Sequence, residues 1–329
     1  MKRVAYSLLV AASMMSSSAF AADMPLKAPP PAPAPATPPW DLVITTALMN
    51  DYNFRGITQS NHRPSTQGGF EYRYNWNPSL QSYVGVSGES IDFPNQAAAE
   101  VDLYGGIRPT FDKLALDFGV WEYYYPDGKC YNTAAFCGSA PIGGAFVPGT
   151  AIGVGGAGNV VKQNESFIEF YAKATYTIND QWSTGIQEWY SPSVANTGAD
   201  GWFTTGNLTF TAPSAWFPST SGIGGYVSGD LGYWALGTSD AFYGFTKYTS
   251  YATWDAGFGW TYKVLTLDLR YYDTNLSKSE CNAFTSAQSV SFSPSYVTGQ
   301  NPSGLGTNWC GAAFVAKLSA AIDFNTNLK

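Results

Sequence analysis

Ionic side chains are scarce in this chain of 329 residues: Asp, Glu, Lys and Arg make up 12% of it, about half the usual share for a soluble domain. Histidine occurs once, at His62, and cysteine only four times. No window of 18 residues is continuously apolar, which excludes a membrane-spanning helix in the mature chain but not a crossing made by strands. A single histidine, with no C-x-x-C spacing, argues against a zinc site, and no metal or cofactor is expected. His62 falls in a predicted loop, and its nearest carboxylate in sequence, Asp51, falls on a predicted strand, so a solvated histidine is expected rather than a general base. The Gly-rich run GVGGAGN lacks the Lys-Ser/Thr of a phosphate loop. Glu100 and Asp102 share one strand face about 7 Å apart, a spacing that permits acid–base work but is equally that of ordinary interior lining. The expectation is a chain that is not an enzyme and has no nucleic-acid partner.

What the sequence has in quantity is glycine (34), tyrosine (22) and an aromatic content of 16%. The start supplies a compartment. A basic MKR, an apolar stretch from Val4 to Met15 and the small-residue site Ala19-Phe20-Ala21 read as a secretory signal peptide over residues 1–21. Residues 22–40 carry eight prolines between Pro25 and Pro39 and read as an extended tether. In an exported chain disulfides persist. Four cysteines allow three pairings, and the expected one joins Cys130 to Cys137 and Cys281 to Cys310, each closing a loop on itself.

From residue 41 to 329 the dominant signal is alternation. In FEYRYNW, Phe70, Tyr72, Tyr74 and Trp76 oppose Glu71, Arg73 and Asn75; in LTLDLRYYD, Leu265, Leu267, Leu269 and Tyr271 oppose Thr266, Asp268 and Arg270. In AAFVAKLSAAIDF, Phe314, Ala316, Leu318, Ala320, Ile322 and Phe324 oppose Val315, Lys317, Ser319, Ala321 and Asp323. A period of two means strands with two unlike faces. About twelve such strands are predicted, to within two. In the first, Leu42, Ile44, Leu48, Tyr52 and Phe54 are assigned to the apolar face.

Two features separate a membrane barrel from a secreted sandwich. Aromatic residues stand at strand ends, at Tyr52, Trp76, Trp182, Trp254 and Tyr262, as the headgroup girdles of a barrel require. Connections also alternate short and long, with 212–222 the one exception. The predicted fold is therefore all-β: a transmembrane antiparallel up-and-down barrel over 41–329, whose apolar face meets lipid. Closure leaves no unpaired edge in the bilayer.

The run NDYNFRGITQSNHRPSTQGGFEYRY resembles the opening signature of TorF-type porins, a proteobacterial outer-membrane family, at Phe54, Arg55, Gly56, Ile57, Thr58, Gln59, Pro64, Gly68 and Gly69. AEVDLYGGIRPTF, LALDFGVWEYYYP and LDLRYYDTNLS are similar to its later segments, so the likeness spans most of 41–324; the insertion at 130–162 departs from it. The resemblance implies a barrel in the outer membrane of a Gram-negative cell, and a channel.

By register, the inward groups are Asp51, Glu71, Glu100, Asp102, Asp117, Glu169, Asp230, Asp255, Asp268 and Asp323, against Arg73, Arg108, Lys173, Arg270 and Lys317, with Arg55 at the rim. Removing Lys2 and Arg3 with the signal peptide leaves 15 basic and 24 acidic residues, a net charge of −9. The expected function is a narrow, cation-preferring passage for small polar or ionic solutes, its carboxylates opposed by arginines across the lumen. The alternative is a non-conducting barrel whose long loops bind a surface partner. Expected partners are outer-membrane lipid, small solutes and, through the proline tether, the cell wall.

Overall fold

The computed structural model describes residues 38–129, 161–218, 221–287, 296–301 and 304–327. The signal peptide, nearly all of the tether, and both Cys130 and Cys137 lie outside them. Twelve strands pair antiparallel into one closed barrel. They are β1 (Trp40–Met49), β2 (Ser65–Asn77), β3 (Leu80–Glu89), β4 (Glu100–Phe111), β5 (Leu114–Tyr124) and β6 (Phe167–Thr177), then β7 (Trp182–Ser191), β8 (Gly201–Thr211), β9 (Ile223–Leu236), β10 (Tyr251–Tyr262), β11 (Leu265–Thr274) and β12 (Ala313–Asp323). Each pairs with its sequence neighbours, and β1 closes the ring on β12 from Val43↔Asp323 to Met49↔Lys317.

The side-chain alternation sorts the residues as the period of two demands. Ile44, Leu48, Phe70, Val84, Leu103 and Ile107 are exposed on the outside, while Val43, Ala47 and Met49 are buried within. An outer surface this apolar, on strands of 10 to 14 residues, is the lipid face of a membrane barrel. Aromatics ring both ends of it. Trp76, Trp182 and Tyr262 stand at the end with short turns, and Trp202, Tyr233 and Trp254 at the end with long loops. The 212–222 connection lies at the short-turn end, where a single turn of 3₁₀ helix (Ser214–Trp216) leaves Trp216 exposed among them.

Three expectations need correction. β1 ends at Met49, so Tyr52 and Phe54 are not on the lipid face; the chain turns inward there. The last strand ends at Asp323, and Phe324 opens a short helical turn, its ring 6.0 Å from that of Trp40. The long connection before β12 holds a helix, α1 (Lys278–Thr285), too short for its periodicity to show. Its start is fixed by a capping box: Ser277 accepts from the Glu280 N–H, and Glu280 accepts from the Ser277 N–H. Cys281 on this helix is disulfide-bonded to Cys310.

Candidate functional site

The site is the barrel interior together with the segment that closes its long-loop end. Residues 50–64 fold into the mouth, where Asn53–Phe54 pairs with Ile57–Thr58. Arg55 (φ 52°) and Gly56 (φ 82°) form the turn between them, both in the left-handed region that a tight hairpin turn of the mirror-image type requires. Gly56 has a second constraint. A Cβ there would stand 2.2 Å from Thr274 Cγ2 and 2.6 Å from Thr253 Oγ1, so the tip is in close contact with the wall.

Arg55 crosses the lumen to Glu169 on β6, on the far side of the barrel from β1. Its two terminal nitrogens donate to the two carboxylate oxygens at 2.8 and 2.6 Å. The side chains are 5% and 1% exposed. The guanidinium carbon lies 4.6, 4.3 and 4.4 Å from the ring centres of Phe54, Phe203 and Trp234. A planar cation suits both partners, the carboxylate through paired hydrogen bonds and the rings by stacking. Further locks surround it. The Tyr52 hydroxyl donates to Glu100 at 2.5 Å, the Tyr251 hydroxyl donates to the Arg55 carbonyl at 3.0 Å, and Tyr123 donates to Glu169 at 3.1 Å. From above, Thr58 N–H donates to the Trp309 carbonyl at 2.9 Å, next to the bridged Cys310. Between this hairpin and the outer loops is a cavity of about 80 Å³ lined by Phe54, Phe93, Tyr125, Phe167, Trp309 and Glu165, among others.

His62 is not a free loop histidine. Asp51 lies beyond the end of β1 and is buried, and its Oδ2 is 2.8 Å from His62 Nδ1. Thr58 and Ser60 donate to the other oxygen at 2.5 and 3.0 Å. His62 Nε2 faces the Asn308 carbonyl at 3.3 Å. With an acceptor at each ring nitrogen the imidazolium is the favoured form. The hydrogen bond with Asp51 raises the pKa, against the opposing effect of burial. The raised value sets the sign. The stabilisation is complete below the ordinary histidine range and is lost as pH rises through the folded pKa. Hydrogen exchange of amides 52–63, corrected for intrinsic rate, is therefore expected to show stronger protection at pH 5 than at pH 8. In His62→Asn that difference disappears; an unchanged difference would mean that other groups control the segment.

Below the hairpin the inward charges form two groups. Glu71 accepts both terminal nitrogens of Arg108 at 2.7 and 3.0 Å and Nε of Arg73 at 2.5 Å, while Arg108 also reaches Asp117 at 3.2 Å. Arg270 donates to Asp255 and Asp268 and stands 3.9 Å from Asp230. Lys173 has its ammonium 4.3 Å from the centre of the Tyr171 ring and 4.5 Å from that of Trp189. Lys317 donates to Gln67 at 3.2 Å. So Arg73, Arg108 and Arg270 sit beside their carboxylates, on the same strand or one or two strands away, not opposite them across the lumen. These groups keep some contact with solvent: Arg73, Asp117 and Asp230 are 27%, 19% and 30% exposed, against 1% for Glu169 beside the hairpin.

Glu89 is an inward carboxylate that the sequence pattern does not reveal. Glu89 ends β3, whose inner face reads Tyr83, Gly85, Ser87, Glu89, so small residues blur the alternation there. Its register partner is Glu100. One carboxylate oxygen each from Glu89, Glu100 and Asp102 lie within 4.8 Å of one another, a group among the described residues that could hold a metal ion.

A family model described as a bacterial protein of unknown function (Gcw_chp) matches residues 33–151, a stretch that contains the inward hairpin and this carboxylate trio. No curated protein matches the chain. Among solved structures it is similar to the NanC porin (7% identity, 85% of this chain and 98% of that one, TM-score 0.39). It is also similar to LpxR from Salmonella typhimurium (7%, 85% and 99%, TM-score 0.39) and to OmpT, an outer membrane protein of Vibrio cholerae (11%, 86% and 98%, TM-score 0.33). At these scores the architecture rests on the chain's own strand pairing. Taken together, the closed ring of twelve strands and its apolar outer face make this chain a transmembrane β-barrel, one whose N-terminal part is similar to a bacterial family of unknown function.

Proposed function

We propose that the protein is an outer-membrane channel of a Gram-negative cell, with its short turns and both chain ends in the periplasm. It passes small polar or ionic solutes once the hairpin at its outer mouth moves aside. The observation that carries this reading is the gradient of burial along the interior. Charged groups toward the short-turn end keep contact with solvent, while those touching the hairpin are sealed. A barrel filled for stability alone needs no such gradient. The likeness of Phe54, Arg55, Gly56, Ile57, Thr58 and Gln59 to TorF-type porins supports the same reading.

Cation preference follows from which charges are left over. Glu71 and Asp117 are balanced by Arg73 and Arg108, whereas Asp230, Asp255 and Asp268 outnumber Arg270 three to one. In a low-dielectric wall that excess concentrates cations. Purified protein in a planar bilayer under a KCl gradient is expected to give a reversal potential of cationic sign, diminished in Asp255→Asn/Asp268→Asn. The preference should weaken at high salt, where the screening length falls from about 10 Å at 0.1 M to about 3 Å at 1 M. An anionic sign would overturn it. The burial of the Arg55–Glu169 pair favours a second reading, a non-conducting barrel. It would stand if neither the wild type nor a variant lacking this pair conducts.

A further inference from the structure

We propose that Glu89, Glu100 and Asp102 form a binding site for a hard divalent cation, best matched by calcium, beneath the outer mouth of the barrel. The residues come from the facing ends of β3 and β4, and the strand register places them together: Glu89 pairs with Glu100, and Ser87 with Asp102. They are 2%, 1% and 4% exposed.

Their partners do not balance three negative charges. Among the described residues none of the three joins an ion pair. Lys317 acts on Glu89 electrostatically but without an ion pair, its hydrogen bond going to Gln67, whose amide donates to Glu89 at 2.8 Å. The other contacts are neutral. Tyr52 and Tyr125 donate one hydroxyl each to the two oxygens of Glu100, and the Ser87 hydroxyl is 3.4 Å from Asp102 Oδ2, with the Trp121 indole near the same carboxylate. What remains points to a ligand. Glu89 Oε2 and Asp102 Oδ1 are buried without a hydrogen bond of normal geometry, the Ser87 hydroxyl and the Trp121 indole being the polar groups near these two carboxylates. Two such oxygens, sealed from water in a group of three carboxylates, are costly unless something positive lies among them.

Geometry and donor type select the ion. Oxygens bound to one calcium at about 2.4 Å are at most about 4.8 Å apart, the limit within which these three fall. All donors are oxygen, which excludes a soft metal, and the hydroxyls and waters can complete a coordination number of six to eight. Each oxygen of Glu100 can accept from a tyrosine and still offer a lone pair to the ion. Because Tyr52 leads into the inward hairpin, an ion on Glu100 would also brace the closed mouth. Tyr125 stands between Glu100 and the mouth cavity, so the route from outside ends one side chain from the site.

Terbium, a calcium mimic excited through nearby tyrosine and tryptophan, tests this on the full-length, detergent-folded protein stripped with chelator. The expected result is stoichiometric sensitised emission, displaced by calcium. Affinity is expected to fall by roughly tenfold or more in Glu89→Gln and again in Asp102→Asn, since charge count sets the affinity of such sites. Glu122→Gln, on the outer face of β5, leaves it unchanged. Absent emission, or wild-type calcium titration without binding at millimolar concentration, overturns the proposal with no variant needed. Emission undiminished in a folded Glu89→Gln/Asp102→Asn protein overturns it as well.

Discussion

Replacing Arg55 with alanine is expected to open the barrel. The substitution leaves Glu169 sealed at 1% exposure with only the Tyr123 hydroxyl against it, and removes a guanidinium held among three aromatic rings. Breaking a buried pair by deleting one partner costs about 3–5 kcal/mol, because the other charge is left uncompensated. At about 1.4 kcal/mol per decade, a closed population of the hairpin would fall by roughly two to three and a half orders of magnitude relative to the open one. In single-channel records Arg55→Ala should therefore conduct far more of the time than the wild type. The double variant Arg55→Ala/Glu169→Ala supplies the stricter check. With no charge stranded, it should be milder than Arg55→Ala alone, a coupling that a merely bulky plug would not give. Additive effects would show that volume, not the ion pair, keeps the mouth shut.

The second large effect belongs to the outer wall. Leu208 and Asn207 are neighbours on β8; Leu208 is exposed on the apolar outer face, and Asn207 points inward opposite Asp230. Leu208→Lys is expected to destabilise the barrel in lipid vesicles by about 2–3 kcal/mol, the order found for a lysine placed at depth on a lipid face. Asn207→Lys, which brings the same charge to an acidic interior, should change stability by less than about 0.5 kcal/mol. Denaturant titration in vesicles reads both. Equal costs at the two positions would contradict the assignment of these faces.

How much of this the sequence contained differs by region. Wherever a strand is flanked by unlike environments, the period of two is enforced residue by residue, because a one-residue slip would turn every charge toward lipid. That is why Glu71, Arg108, Asp117, Asp268, Arg270 and Lys317 could be placed on the inner face from FEYRYNW, LTLDLRYYD and similar runs alone. The pattern weakened where inner positions were small. Gly85 and Ser87 interrupt the run that leads to Glu89, so the third member of the carboxylate trio was missed while Glu100 and Asp102 were found.

The sequence by itself determined the barrel, its strand number to within two and the two faces of its wall, since each depends on local alternation and on the lengths of the connections. Only the tertiary structure decided what occupies the interior. Tyr52 and Phe54 continue the alternation of β1 in sequence, yet turn inside because Arg55 finds Glu169 and the rings of Phe203 and Trp234 across the lumen. The same fold brings Asp51 to His62, and pairs Arg73, Arg108 and Arg270 with carboxylates beside them rather than with ones facing them. These contacts include Arg55 with Glu169, 114 positions apart in the chain. No local period encodes such a distance; closing the barrel creates it.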